Sequence, residues 1–300
     1  MTPIRCLALS KHFRGVRAVD GLDLEVPKGS IFGLVGPNGA GKTTALKTMM
    51  NILPADGGRA EILGTNSRRL GPGEFARIGY VSENQKMPEW MTIDYLMSYL
   101  RPFYPGWDSA RAAELVRQFD LPPNRKLGHL SRGMLMKAAF ASSLAYRPEL
   151  LVLDEPFSGL DPLIREDLIQ GILASAEETT ILISSHDLAE IESFASHIGF
   201  MDGGRLRFSE EMVSLQQRFR EIEVTFDVPQ APVANEVWPP HWLGAEVSPV
   251  VVRFVETRFH PEQTTENVRR MFAQVRNISV SPMPLRSIFL TLARSSSKVA

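Results

Sequence analysis

Apolar residues recur along this chain in distinct rhythms. Three short segments are apolar almost without interruption: Ile31-Phe32-Gly33-Leu34-Val35, Leu150-Leu151-Val152-Leu153 and Thr180-Ile181-Leu182-Ile183-Ser184. Such runs fit strands covered on both faces. Between the second and third, Pro162 to Ala176 reads as a helix, with Asp161 as its N-cap and Pro162 in its first position. Buried runs alternating with helices predict a parallel sheet with both faces covered. Residues 4–30 predict two strands and turns, punctuated by Gly15 and Gly21. Leu22, Leu24 and Val26 alternate there with Asp23 and Glu25, which gives one buried face. Short strands are expected at Ala60–Leu63 and Ile78–Val81, and a helix over Thr44–Ile52. Residues 90–145 read as mainly helical, with Thr92 capping a short helix through Leu100.

The pattern changes after residue 205. Glu210 to Arg220 reads as a helical connector. Ile222, Val224 and Phe226 alternate with polar residues as a strand, and Val250–Val255 and Ile278–Val280 predict two more. Val268, Met271, Phe272 and Val275 fall at the spacing of one helix face, as do Leu285, Ile288, Phe289 and Leu292. Pro229–Pro240 is proline-rich and reads as a loop. The expected organisation is a first domain over 1–208, a connector over 209–220, an accessory α+β domain over 221–294 and a tail over 295–300. No internal repeat is visible, and the accessory domain carries no catalytic motif.

Composition narrows the function class only a little. The 300 residues are 44% hydrophobic and 22% charged, as in ordinary globular proteins, and the formal net charge is −1. That balance gives no electrostatic footprint for nucleic acid. The single cysteine, Cys6, excludes an internal disulfide and a Cys-rich zinc site, and suits a reducing compartment. No secretory leader is evident at Met1-Thr2-Pro3-Ile4-Arg5, and no run approaches the roughly twenty apolar residues of a membrane-spanning helix.

The chemistry is concentrated in Gly36-Pro37-Asn38-Gly39-Ala40-Gly41-Lys42-Thr43-Thr44. This fits the phosphate-binding pattern G-x-x-x-x-G-K-[ST], between a predicted strand and a predicted helix. Glycines let backbone N–H groups approach an anion, the lysine reaches the β/γ-phosphates, and the threonine hydroxyl takes Mg²⁺. The helix N-terminus adds its positive dipole end. The run Leu150–Leu153 ends in Asp154 and Glu155. Ligands gather at the carboxyl ends of parallel strands. Asp154 is therefore expected to hold Mg²⁺ through water, and Glu155 to polarise an attacking water. Taken alone, the two carboxylates would also fit a solvated acidic turn.

The order of motifs resembles the ATP-binding subunit of ABC transporters, over residues 4 to about 208. After the phosphate loop come Leu130-Ser131-Arg132-Gly133-Met134 at the signature position, then Leu150–Glu155, Ser158-Gly159-Leu160-Asp161, and Ser184-Ser185-His186. The resemblance implies an α/β fold of the P-loop NTPase type. It has a mostly parallel sheet, an antiparallel β subdomain and a helical subdomain over about 86–145, followed here by the small α+β module. It implies ATP and Mg²⁺ bound between two such subunits, head to tail. Lys42 and Thr43 of one would hold the phosphates and metal, and Ser131 and Gly133 of the other would close on the γ-phosphate. Ser131 would serve equally as a helix cap. By the same resemblance Glu155 is the general base, His186 contacts the γ-phosphate, and Asp161 faces the second subunit. Phe13 stacks on adenine, as any flat aromatic surface can; as a residue it could also be a core aromatic.

Two departures matter. The signature has Arg132 and Met134 where Gly and Gln are usual, a variant resembling drug and polysaccharide exporters with separate membrane subunits. Glu83 stands where the family commonly has the Gln that reaches the metal; Gln85 is the alternative for that role. Residues 87–107 are dense in Met and aromatic residues, and in the family this region receives a helix of the membrane subunit. Most of them are expected in the core, with Tyr104 and Trp107 available to a partner. The implied partners are a membrane-spanning permease and a second copy or homologous ATPase subunit, at the inner face of the cell membrane. A soluble ABC-type ATPase of non-transport function is the alternative. It would normally carry two such domains or a coiled-coil insertion, and neither is present.

Overall fold

The computed structural model describes residues 2–83, 85–229 and 238–296. The chain divides into two compact units, residues 1–209 and 210–300. The first runs β1 (Ile4–Phe13), β2 (Val16–Val26), β3 (Ile31–Val35), α1 (Lys42–Met49), β4 (Gly57–Ile62), β5 (Thr65–Asn66), α2 (Pro72–Phe75), β6 (Ile78–Ser82), α3 (Ile93–Leu100), α4 (Ser109–Gln118), α5 (Arg132–Leu144), β7 (Leu150–Asp154), α6 (Pro162–Ser175), β8 (Thr180–Ser185), α7 (Leu188–Glu192), β9 (His197–Asp202) and β10 (Arg205–Glu211).

The central sheet has the order β10-β9-β3-β8-β7-β6. β9, β3, β8, β7 and β6 pair in parallel, so the carboxyl ends of β3, β7 and β8 lie together. Every residue of β3, β7 and β8 is buried, as their unbroken apolar character requires. A second sheet, β2-β1-β4-β5, is antiparallel and half-buried, with Leu22, Leu24 and Val26 inside. Its inner face shares a core with Leu34, Leu46, Met49, Val152 and Leu182 of the central layer. Thr92 caps α3 by accepting from the Tyr95 N–H, and Asp161 caps α6 by accepting from Leu163 and Ile164.

The helix after the phosphate loop covers Lys42–Met49, not Thr44–Ile52. It starts early because Gly41 takes a left-handed conformation (φ 100°) that turns the chain into the first helical residue. It stops early because Asn51 is also left-handed (φ 55°).

The second unit contains α8 (Met212–Arg218), β11 (Arg220–Phe226), β12 (Trp242–Val247), β13 (Val251–Glu256), α9 (Pro261–Met271), β14 (Val275–Pro282) and α10 (Leu285–Ser296). Its antiparallel sheet has the order β12-β13-β11-β14. The helix spacing of Val268, Met271, Phe272 and Val275 misassigned the last two, since α9 ends at Met271 and Val275 opens β14. All four nonetheless pack in or against one core with Phe226, Trp242 and Phe254. β12 was not anticipated, because Gly244 and surface polar residues break its alternation at the sheet edge. The expected loop at 229–240 falls largely on residues outside those described, as does most of the expected tail.

Candidate functional site

The carboxyl ends of β3, β7 and β8 open on a cleft of about 660 Å³, lined by residues 38–44, Glu83, Glu155, Ser158 and His186. Gly41 is a conformational necessity in it: a Cβ there would stand 2.1 Å from the Ala18 carbonyl oxygen, at a φ that side chains avoid. Lys42 is only 5% exposed. Its ammonium donates to the Gly36 carbonyl at 2.7 Å and the Pro37 carbonyl at 3.3 Å, and pairs with Glu155 Oε1 at 3.0 Å. A cation so enclosed needs anions or acceptors on every donor.

Thr43 donates its hydroxyl to Asp154 Oδ1 at 2.8 Å, and Ser184 donates to the same oxygen at 2.8 Å. Asp154 is 4% exposed. The Ser184 hydroxyl also accepts from the Glu155 N–H at 2.9 Å, so one side chain fixes both carboxylate residues. Glu155 has φ 51°, uncommon for a residue with a side chain. Its second oxygen lies 2.7 Å from His186 Nδ1 and accepts from the His186 N–H at 3.3 Å. An ionised carboxylate only accepts, so Nδ1 carries the proton and Nε2 is left to other contacts. Ser185, next to it, donates to Glu190 Oε2 at 2.8 Å. Burial raises the pKa of Glu190, against the lowering effects of Ser185 and Arg165.

Thr43 and Asp154 form a hard oxygen donor set that fits Mg²⁺. Among the described residues no three His, Cys, Asp or Glu side chains converge on one point. That suits a metal held by one carboxylate and substrate phosphates better than one caged by protein.

Glu83 lines the cleft, but its Oε1 is held by the Arg132 guanidinium and by the Ser158 hydroxyl at 2.8 Å. Gln85 turns its carbonyl to the Ser82 N–H at 3.4 Å and is exposed. Ser131, Gly133 and Asp161 do not line the cleft. Ser131 caps α5 through the Met134 N–H. Gly133 is buried, and a Cβ there would stand 2.3 Å from Ile164 Cδ1. Phe13 is not in the cleft lining, though its strand partner Val16 is; the residue is 44% exposed, with the Lys11 ammonium 5.3 Å from its ring centroid. Val16, Arg17, Ala18, Gly203 and Gly204 line the cleft unforeseen, since they come from turns that no motif marks.

The aromatic region is arranged differently from expectation. Tyr104 is half-buried and stacks on buried Tyr146 at 3.8 Å, and Trp107 is half-buried. Trp90, Tyr95, Tyr99 and Phe103 are the exposed residues, at 62, 49, 48 and 60%. Their rings form a row with centroids 5.3, 6.5 and 5.4 Å apart. The reason is helical geometry: Tyr95, Tyr99 and Phe103 recur every fourth residue, while Ile93, Leu96 and Met97 take the inner face.

Comparison with known proteins decides the family. The ABC transporter family model matches residues 19–158. The chain is 34% identical over 221 residues to the ABC transporter ATP-binding protein YtrB of Bacillus subtilis, covering 73% of this chain and 75% of that one. The chain belongs to the ABC transporter ATP-binding proteins. It is also 38% identical over 208 residues to the daunorubicin resistance ATP-binding protein DrrA2 of Streptomyces coeruleorubidus, covering 67% of this chain and 65% of that one. In fold, this ABC transporter ATP-binding protein is similar to a dimeric ATP-binding cassette in a post-hydrolysis state bound to ADP and Pi. That match has a TM-score of 0.61 at 23% identity, over 70% of this chain and 98% of that one. That likeness shows the P-loop NTPase architecture expected of such a subunit, and membership of the family makes it an ATPase. No described helix is long and apolar enough to cross a membrane.

Proposed function

We propose that this subunit hydrolyses Mg-ATP at a site shared by two ATPase subunits and so drives export through a separate membrane-spanning permease. The observation that carries the reading is the convergence of Lys42, Thr43, Asp154, Glu155 and His186 through contacts of 2.7–3.0 Å. The Lys42 ammonium, neutralised within the chain by Glu155, exchanges that carboxylate for β/γ-phosphate oxygens. Glu155 then takes a proton from water as its oxygen attacks the γ-phosphorus and the bond to ADP breaks, leaving ADP and phosphate. His186, held by Glu155 in the free chain, turns its Nδ1–H from that carboxylate to a γ-phosphate oxygen once nucleotide is bound. Thr43 and Asp154 would hold Mg²⁺, with Glu83 reaching toward it; when bound, the ion neutralises phosphate charge. Phe13 stacks on adenine from the cleft margin. Ser131 and Gly133 stand outside this chain's own cleft, which supports their action on the nucleotide of a second subunit, with Asp161 facing that subunit. The daunorubicin resistance named for one relative supports export.

The aromatic row from Trp90 to Phe103 supports docking of the permease, since exposed aromatic residues suit such a surface. Purification of the intact chain from its native membrane is expected to recover a polytopic protein that stimulates ATP hydrolysis. Tyr99→Ala with Phe103→Ala is expected to lose that protein while keeping basal hydrolysis. Retention of the partner by the double variant would remove the row from the interface, and recovery of no membrane protein would remove the transport reading.

We also propose that residues 221–300 are dispensable for the nucleotide site. A chain ending at residue 220 is expected to bind ATP as the full chain does in calorimetry. Complete loss of binding would overturn the division into an ATPase domain and an accessory domain.

A further inference from the structure

The turn that carries His186 is held from behind by a group the proposed mechanism does not use. Glu190, on α7, has only 8% of its side chain exposed, and Arg165, on α6, 33%. The Ser185 hydroxyl donates to Glu190 Oε2 at 2.8 Å and accepts from the Asp187 N–H at 3.0 Å. Glu190 Oε1 pairs with Arg165 Nη1 at 3.1 Å. Arg165 lies in the first turn of α6, and its N–H donates to the carbonyl of Asp161 at 3.1 Å. A continuous path therefore runs from Asp161 through Arg165, Glu190 and Ser185 to His186. The Arg165 Nε–H is buried with no acceptor among the described residues, an uncommon arrangement. It marks a guanidinium oriented for Glu190 at the expense of its own hydrogen bonds.

The electrostatics argue that Glu190 is not there for stability. Burial raises its pKa more than Ser185 and Arg165 lower it. A carboxyl with a raised folded pKa stabilises the fold below its unfolded value and loses that contribution as pH rises through the folded value. A neutral isostere keeps the uncharged form that burial favours, and is expected not to lower the melting temperature.

We propose that Glu190 and Arg165 are positioning residues for ATP hydrolysis, clamping the Ser185–His186–Asp187 turn and tying it to the helix that Asp161 caps. This rests on the reading of His186 as the γ-phosphate contact. Engagement of Asp161 by a second subunit then bears on the placement of His186 through the side chains of Arg165, Glu190 and Ser185. Glutamine at 190 keeps an acceptor for Ser185 but loses the charge that orients Arg165.

The test measures single-turnover Mg-ATP hydrolysis by the full chain carrying Glu190→Gln, Arg165→Met or both, each in the native and the His186→Ala background. Glu190→Gln is expected to slow hydrolysis about tenfold, with KM within about twofold of the native value and no fall in melting temperature. Arg165→Met should match it, Arg165→Lys should recover most of the loss, and the double variant should be no slower than the slower single. In the His186→Ala background Glu190→Gln should add nothing. Amide exchange across 183–190 should quicken in Glu190→Gln, which keeps the proposal testable where residual turnover is too low to measure. Equal losses in both backgrounds, a lowered melting temperature, or unchanged exchange would overturn it. If His186→Ala is slow while Glu190→Gln turns over normally, the clamp alone fails. If His186→Ala turns over normally, the role of His186 fails with it.

Discussion

Lys42→Ala is expected to reduce ATP hydrolysis to background and to weaken nucleotide binding. Lys42 is nearly inaccessible to solvent and meets two carbonyls and the Glu155 carboxylate within 3.3 Å. Its removal leaves Glu155, 13% exposed, without its cationic partner beside the phosphate position. Stripping one member of a buried ion pair costs about 3–5 kcal/mol. Loss of a charge-assisted contact aimed at the transferred group costs about 10²–10³ in rate. Both losses fall on the same site, so residual turnover should be undetectable in a phosphate-release assay. Calorimetric titration with ATP checks the binding half. Turnover at the native rate would refute the assignment of the phosphate loop. A thermal melt separates this effect from unfolding, since Lys42 also tethers the loop to itself through the Gly36 carbonyl.

Glu155→Gln should slow hydrolysis on the order of a hundredfold or more, the range expected when a general base is lost. Shape is preserved, so nucleotide binding should survive. Glutamine still offers an acceptor to the His186 Nδ1–H, whose present distance is 2.7 Å, and to the Lys42 ammonium, while the charge and basicity are lost. The ATP-loaded state should then persist long enough for two subunits to remain closed on it, seen as a dimer in size-exclusion chromatography with Mg-ATP. A variant that stays monomeric and active would contradict both the base and the shared site.

Much of the candidate site was legible because its physics is local. The phosphate loop and the strand ending in Asp154-Glu155 each state their chemistry within a few residues. The unbroken apolar runs correctly implied strands buried on both faces. What was not legible depends on contacts distant in sequence. Ser184 holds both Asp154 and Glu155 across neighbouring strands, which no spacing announces. The pairing of Glu83 with Arg132 spans 49 positions. The exposed aromatic row was misjudged because residue type alone does not say which face of α3 turns inward; Tyr104 became half-buried by stacking on Tyr146. In the second unit, periodicity found the core but not the element boundaries, because α9 and β14 feed one apolar cluster.

The most direct measurement of the shared site is a structure of the Glu155→Gln chain grown with Mg-ATP. The predicted result is a closed pair in which residues 36–44 of one copy enclose the phosphates and Ser131 and Gly133 of the other meet the γ-phosphate. A closed assembly with Ser131 and Gly133 remote from every bound nucleotide would contradict it.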